Sequence, residues 1–371
     1  MTTTQRHDLA WLERRSREIV TGLQEANGAY PASPTFSAYQ GYCWFRDGSF
    51  IADGASAAGE VASASAFFDW CAAVVQRHAP TIRRVVAAAE AGTPVPDAEM
   101  LPTRFTTAGE PGSDDWWDFQ LDGYGTWLWA VAEHARRHRL DPEPWRAAAA
   151  LTVDYLLSSW RRPCFDWWEE HSEQIHVSTL GCIAVGLRRA ATDRLVDGER
   201  AAGALRAAAE ITALIEREGV ADGHLTKWLG TDAVDGSLSA LVAPLGLFPP
   251  DSRLARATVA AVERQLCVEG GVYRFRADTF FGGGRWPLLS CFLGLAKAAQ
   301  GDLAGARALL DWAAGTATEE GLMPEQVDGH LLDPSQRQYW LDRWGPPATP
   351  LLWSHAMLLR LAAELGEDAS A

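Results

Sequence analysis

With 371 residues, 47% of them hydrophobic, the chain can bury a large core, in one domain or in two. A formal net charge of -15 would repel a phosphate backbone, which excludes nucleic acid as a partner. No apolar run reaches the length that crosses a bilayer, which excludes a helical membrane protein.

The elements then follow one another as helices. In "DLAWLERRSREIVTGLQEA", Leu9, Leu12, Ile19 and Leu23 share one face and Asp8 is placed to cap the first turn. Further helices are predicted at 49–60, 61–79, 121–138, 143–159, 177–191, 197–218, 237–245, 252–265, 287–300, 302–317 and 351–364. Ala, Leu, Arg and Glu, all good helix formers, dominate these stretches. Gly-, Pro- and Trp-rich loops separate many of them, and no Gly/Ser linker divides the chain. About twelve helices, each followed by a loop, suit a toroid of helical hairpins whose loops wall a pocket at one end; an irregular bundle would give the same pattern. One domain over 1–371 is expected.

The first residues, "MTTTQRHDLAWLERRSREIV", lack the apolar stretch and small-residue cleavage site of an export signal. Six cysteines are scattered with no CxxC pair. A cytoplasmic chain with reduced thiols is the expectation.

Candidate chemistry concentrates in the loops. "YCWFRDGSF" sets Arg46 beside Asp47 among Tyr42, Trp44 and Phe45. Such a pair can bind sugar hydroxyls, since Arg only donates and ionised Asp only accepts, or it can simply cap the next helix. "DDWWDFQLDGYG" holds Asp114, Asp115 and Asp118 at the spacing of a diphosphate-Mg²⁺ motif. That motif needs a helix, however, and this stretch reads as a loop. Trp117, Gln120 and Asp122 are better placed for a polar ligand. In "CFDWWEEHSEQIHVST", Glu169 and Glu170 follow Trp167 and Trp168, and indole walls raise a carboxyl's pKa towards neutrality. "GGVYRFRADTFFGGGRWPLL" carries Arg274, Asp278 and Trp286, and "GLMPEQVDG" carries Glu325. His171 and His176 are poorly spaced as metal ligands.

Six blocks, "YCWFRDGSF", "QLDGYG", "DWWEE", "RFRADTFFGGGRW", "GLMPEQVD" and "LLWSHAMLL", resemble in this order those of glycoside hydrolase family 15, over about residues 10–365. These are the glucoamylases and related exo-acting α-glucosidases. The resemblance implies an all-α (α/α)6 barrel and inverting release of β-glucose from a non-reducing end. It also implies Glu169 as general acid and Glu325 as general base. Arg46 and Asp47, Arg274 and Asp278, and Trp44, Trp286 and Trp353 match the family's glucose-binding positions. Tyr42, Trp117, Gln120, Asp122, Trp168 and Glu170 complete the expected substrate-binding set. No metal and no organic cofactor is implied. The N-terminal β-sandwich and starch-binding module of some relatives are not visible, and Gln40 stands where an aromatic residue is common.

The expected substrate is a short oligosaccharide, with isomaltose or another α-1,6-linked glucoside favoured. A trehalase, a maltose-type α-glucosidase of the same fold, and a sugar-binding toroid without chemistry are the alternatives.

Overall fold

The computed structural model describes residues 8–114, 116 and 119–366. Fourteen α-helices occur among them: α1 (Leu9–Gly22), α2 (Phe45–Ala57), α3 (Val61–Arg77), α4 (Ala79–Glu90), α5 (Asp122–His138), α6 (Glu143–Ser159), α7 (Val177–Thr192), α8 (Gly198–Glu218), α9 (Leu238–Val242), α10 (Arg253–Leu266), α11 (Pro287–Ala299), α12 (Leu303–Ala314), α13 (Arg337–Trp344) and α14 (Leu352–Glu364). All twelve predicted helices are present. Asp8 caps α1 through its carboxylate and the Ala10 N–H, as its position suggested.

Two helices were not foreseen. Pro80 reads as the end of a helix, yet it sits in the first turn of α4, where a missing N–H costs nothing. α13 has no buried residue and so carries no apolar period.

Six helices pack in a closed ring, α2–α5–α7–α9–α11–α14 and back to α2. Outside it, α3, α6, α8, α10, α12 and α1 pack on α2, α5, α7, α9, α11 and α14 in turn. The fold is an (α/α)6 barrel. Ring helices are buried on every side, as in α7, where twelve of sixteen residues are buried. Gly125 of α5 and Gly186 of α7 let two of these helices touch backbone to backbone. A Cβ on Gly186 would meet the Gly125 carbonyl oxygen at 2.2 Å.

Aromatic side chains fill the middle of the ring. Phe50 lies 5.0 Å from Phe292, 5.5 Å from Trp167, 5.6 Å from Trp129 and 5.6 Å from Trp353 between ring centroids.

Every loop that leads from the outer layer into a ring helix emerges at the same end: 23–44, 91–121, 160–176, 219–237, 267–286 and 315–351. Short antiparallel ladders stiffen these loops. β1 (Tyr42–Trp44) pairs with β2 (Arg104–Thr106), setting Trp44 opposite Arg104. β3 (Val220–Ala221) pairs with β4 (His224–Leu225). β5 (Cys267–Val268), β6 (Gly271–Tyr273) and β7 (Arg285–Trp286) form a three-stranded sheet. Each of β1 and β7 runs straight into a ring helix, so Arg46 and Trp286 are fixed by a strand on one side and a helix on the other. No helix among the described residues is long and apolar enough to cross a membrane.

Candidate active site

The loop end of the barrel encloses a cavity of about 300 Å³, the size of a small-molecule site. Eleven of the residues singled out in the sequence line it: Trp44, Arg46, Asp47, Trp167, Trp168, Glu169, Glu170, Arg274, Trp286, Glu325 and Trp353. These residues span more than three hundred positions of the chain, and only ring closure brings them together.

Glu169 sits in a tight turn after α6, in which its N–H donates to the Asp166 carbonyl at 3.1 Å. Its φ is 58°, in the left-handed region that residues other than glycine adopt uncommonly. Its Oε1 accepts from Gln120 Nε2 at 3.1 Å, Trp44 Nε1 at 3.2 Å and Arg46 Nη2 at 3.3 Å. Burial pushes its carboxyl up to about 7, against the pull of Arg46 and Gln120. This is the apolar elevation anticipated from Trp167 and Trp168, both buried beside it.

Glu325 lines the same cavity from the loop before α14. Its N–H donates to the Ala348 carbonyl at 2.8 Å, and its Oε1 accepts from the Tyr39 hydroxyl at 2.8 Å. Its Oε2 is buried and accepts from no donor among the described residues. Burial pushes this carboxyl up to about 8, with Tyr39 and Arg274 acting the other way. The two acids therefore face one hollow, and burial favours the neutral form of each.

Arg46 organises one wall. Its Nε donates to Asp47 at 3.1 Å and its Nη1 to Gln120 at 2.7 Å and Asp122 at 3.2 Å. Its guanidinium carbon lies 5.6 Å from the Trp353 ring. Burial raises the Asp47 carboxyl to about 6 despite Arg46. Gln120 and Asp122 do not reach the cavity; both lie behind Arg46 and hold it in place.

Asp278 likewise stands behind Arg274, accepting from its Nε at 2.8 Å, while Arg274 Nη2 reaches Glu170 at 3.2 Å. Gly283 makes that turn possible: its φ is 69°, and a Cβ there would meet the Asp278 carbonyl oxygen at 2.4 Å.

Tyr42 is also off the cavity. Its hydroxyl donates to Asp114 at 3.1 Å and its ring faces the Arg104 guanidinium at 3.7 Å. Asp114 is held by Arg104 Nη2 at 2.6 Å and is not free for a metal, while Asp115, Trp117 and Asp118 lie outside the described residues. Among the described residues no group of three or more His, Cys, Asp or Glu side chains could hold a metal ion.

Sequence reasoning missed Phe36, Tyr39, Trp116, Thr279, Phe280, Trp340, Trp344 and Leu351, which also line the cavity. The aromatic residue looked for at position 40 is Tyr39. Gln40 turns outward and donates to the Pro34 carbonyl, because the turn at 36–42 aims the preceding side chain at Glu325. Trp340 and Trp344 come from α13 and are half-buried at the cavity mouth, whereas Trp168, Trp286 and Trp353 are buried deeper.

Residues 17–363 match a model of the family described as Glycosyl hydrolases family 15. The isomaltose glucohydrolase of Kribbella flavida is 54% identical over 376 residues, covering 99% of this chain and 98% of that protein. A trehalase of Mycolicibacterium smegmatis is 27% identical over 86% of this chain and 51% of its own length. A solved glycosidase variant in complex with glucose superposes with a TM-score of 0.95 at 55% identity, covering 96% of this chain and 97% of that one.

Proposed function

The chain belongs to the glycosyl hydrolases family 15, and on that footing we propose that it is an inverting, exo-acting α-glucoside hydrolase that releases β-glucose from isomaltose and related short α-1,6-linked glucosides. One observation carries the reading: Glu169 and Glu325 face a single indole-walled cavity, with Arg46 and Asp47 on one side and Arg274 on another.

In the proposed reaction Glu169 gives its proton to the glycosidic oxygen as the C1–O bond breaks. A water on the opposite ring face gives its proton to Glu325 as its oxygen bonds to C1. Glucose leaves with C1 inverted, the second sugar leaves with its hydroxyl restored, and the site resets when Glu325 gives one proton to solvent and Glu169 takes one up. Such a pair works with its carboxyl groups about 6.5–9.5 Å apart, which leaves room for the water.

Substrate sorts the protons. The glycosidic oxygen is an acceptor and favours protonated Glu169. The water supplies the donor that Glu325 Oε2 lacks, and with Arg274 nearby it favours the carboxylate. Arg46, Asp47 and the tryptophans orient the sugar, a large share of barrier lowering in such sites.

The six unpaired cysteines support work in a reducing compartment. The test is to supply isomaltose, maltose and trehalose and follow the anomers of glucose by proton NMR. Early β-glucose, fastest from isomaltose, is expected. Early α-glucose from isomaltose would refute inversion, and no glucose from any of the three would leave only a sugar-binding protein.

A further inference from the structure

A buried ammonium lies outside the cavity and directly behind the proposed proton donor. Lys227 is 3% exposed and does not line the site. Its Nζ donates to Asp166 Oδ2 at 2.7 Å and to Asp235 Oδ2, and the Phe275 ring covers it at 4.0 Å. Both carboxylates are buried too, and both grip the turn that carries Glu169.

Asp166 Oδ1 accepts the N–H groups of Trp168 and Glu170, each at 2.9 Å, so it fastens the backbone on both sides of Glu169. Asp235 accepts the Trp168 indole N–H at 3.0 Å and is itself fixed by the Ser237 N–H at 2.9 Å and hydroxyl at 2.6 Å. The next residue, Gly236, donates its N–H to the Arg274 carbonyl at 2.7 Å, so the same junction ties down the loop of Arg274. Two buried carboxylates with no cation between them would repel and one would take up a proton. Burial alone would discharge a lysine, but Asp166 and Asp235 hold it charged.

We propose that Lys227 is a positioning residue for the proton donor: by joining Asp166 to Asp235 it holds the turn in which Glu169 keeps its left-handed backbone and its aim at the glycosidic oxygen. This rests on Glu169 being the acid. A displacement of about 1 Å in such a group costs on the order of 100-fold in rate.

The test compares isomaltose with α-D-glucosyl fluoride, whose leaving group departs with little help from an acid. Lys227→Met leaves two anions facing each other. Lys227→Met combined with Asp235→Asn keeps the cluster at its native charge and guards against misfolding, and thermal melts check that each variant is folded at the assay temperature.

Both variants are expected to lose about 10- to 100-fold in kcat on isomaltose, with KM changed a few-fold and fluoride turnover kept within about threefold. Lys227→Arg is expected to recover part of the loss. Equal losses on the two substrates, or no loss on isomaltose, would overturn the positioning role. Glu169→Gln serves as the reference. A selective loss there with none in the Lys227 variants defeats Lys227 alone. An equal loss there on both substrates defeats the assignment of the donor and the positioning role with it.

Discussion

Glu325 should destabilise the folded chain at the pH where it works, and the size of that cost follows from its surroundings. Burial lifts its carboxyl from 4.5 to about 8, so the folded chain retains a proton that the unfolded chain has already released. Stability changes with pH as the difference in protons bound by the two states. The folded state binds more between about pH 4.5 and 8, and stability therefore falls as pH rises through that window and levels off above it. Integrated from about pH 5 to about pH 8, this one group removes about 3 kcal/mol.

Glu325→Gln keeps an oxygen for the Tyr39 hydroxyl and nearly the same volume but cannot titrate. Its stability relative to the parent should therefore grow by about 3 kcal/mol over the same interval. For a chain of this length the entropy of unfolding is about 0.8 kcal/mol/K, so the gap in Tm should widen by about 4 °C. Calorimetry of both proteins at the two pH values and one ionic strength measures it. Any fixed cost of exchanging a hydroxyl for an amide cancels between the two conditions. A gap that does not change with pH, or that turns towards the parent at the higher pH, would refute the reasoning.

Gln120→Leu removes one donor from Glu169, and the carboxyl should rise further. Because the general acid must be protonated, the alkaline limb of the kcat/KM profile should move up by about half to one pH unit, the worth of one hydrogen bond of about 1 kcal/mol. Gly283→Ala would drive a Cβ into the Asp278 carbonyl oxygen; melts should show a loss of about 1–3 kcal/mol, and kinetics a raised KM through the displaced partner of Arg274. Trp340→Ala opens the mouth formed by α13. KM for isomaltose should rise about 3- to 10-fold, the worth of one aromatic contact, while competitive inhibition by glucose in the deeper part stays nearly unchanged.

Helices of the ring and its outer layer announce themselves because each hides one face or all of itself, and burial writes a period into the sequence. Eleven cavity residues were legible from motif blocks, several of which are loop ends fused to a ring helix, as Tyr42–Phe50 is to α2 and Arg285–Trp286 to α11. What stayed hidden had no such period. Tyr39 lies in a turn next to an outward Gln40, and nothing local says which of the two looks inward. Gln120, Asp122 and Asp278 were taken for sugar contacts because polar residues beside a motif look the same whether they face a ligand or brace its partner. The junction of Asp166, Lys227 and Asp235 joins loops sixty residues apart, and only their packing reveals it. α13 contributes Trp340 and Trp344 while burying nothing of its own, so it is legible as chemistry only once it is seen lying across the mouth.

The aromatic plug around Phe50 makes the hollow a cul-de-sac. Whatever goes in must back out the same way, so freed glucose has to vacate its berth before another chain end can dock. A long polymer cannot be threaded through and cut in mid-run; only a terminus fits. Turnover at high product should accordingly be throttled by departure as well as by bond breaking, and the depth of the dead end, more than any single wall, sets how much of a sugar chain is ever within reach.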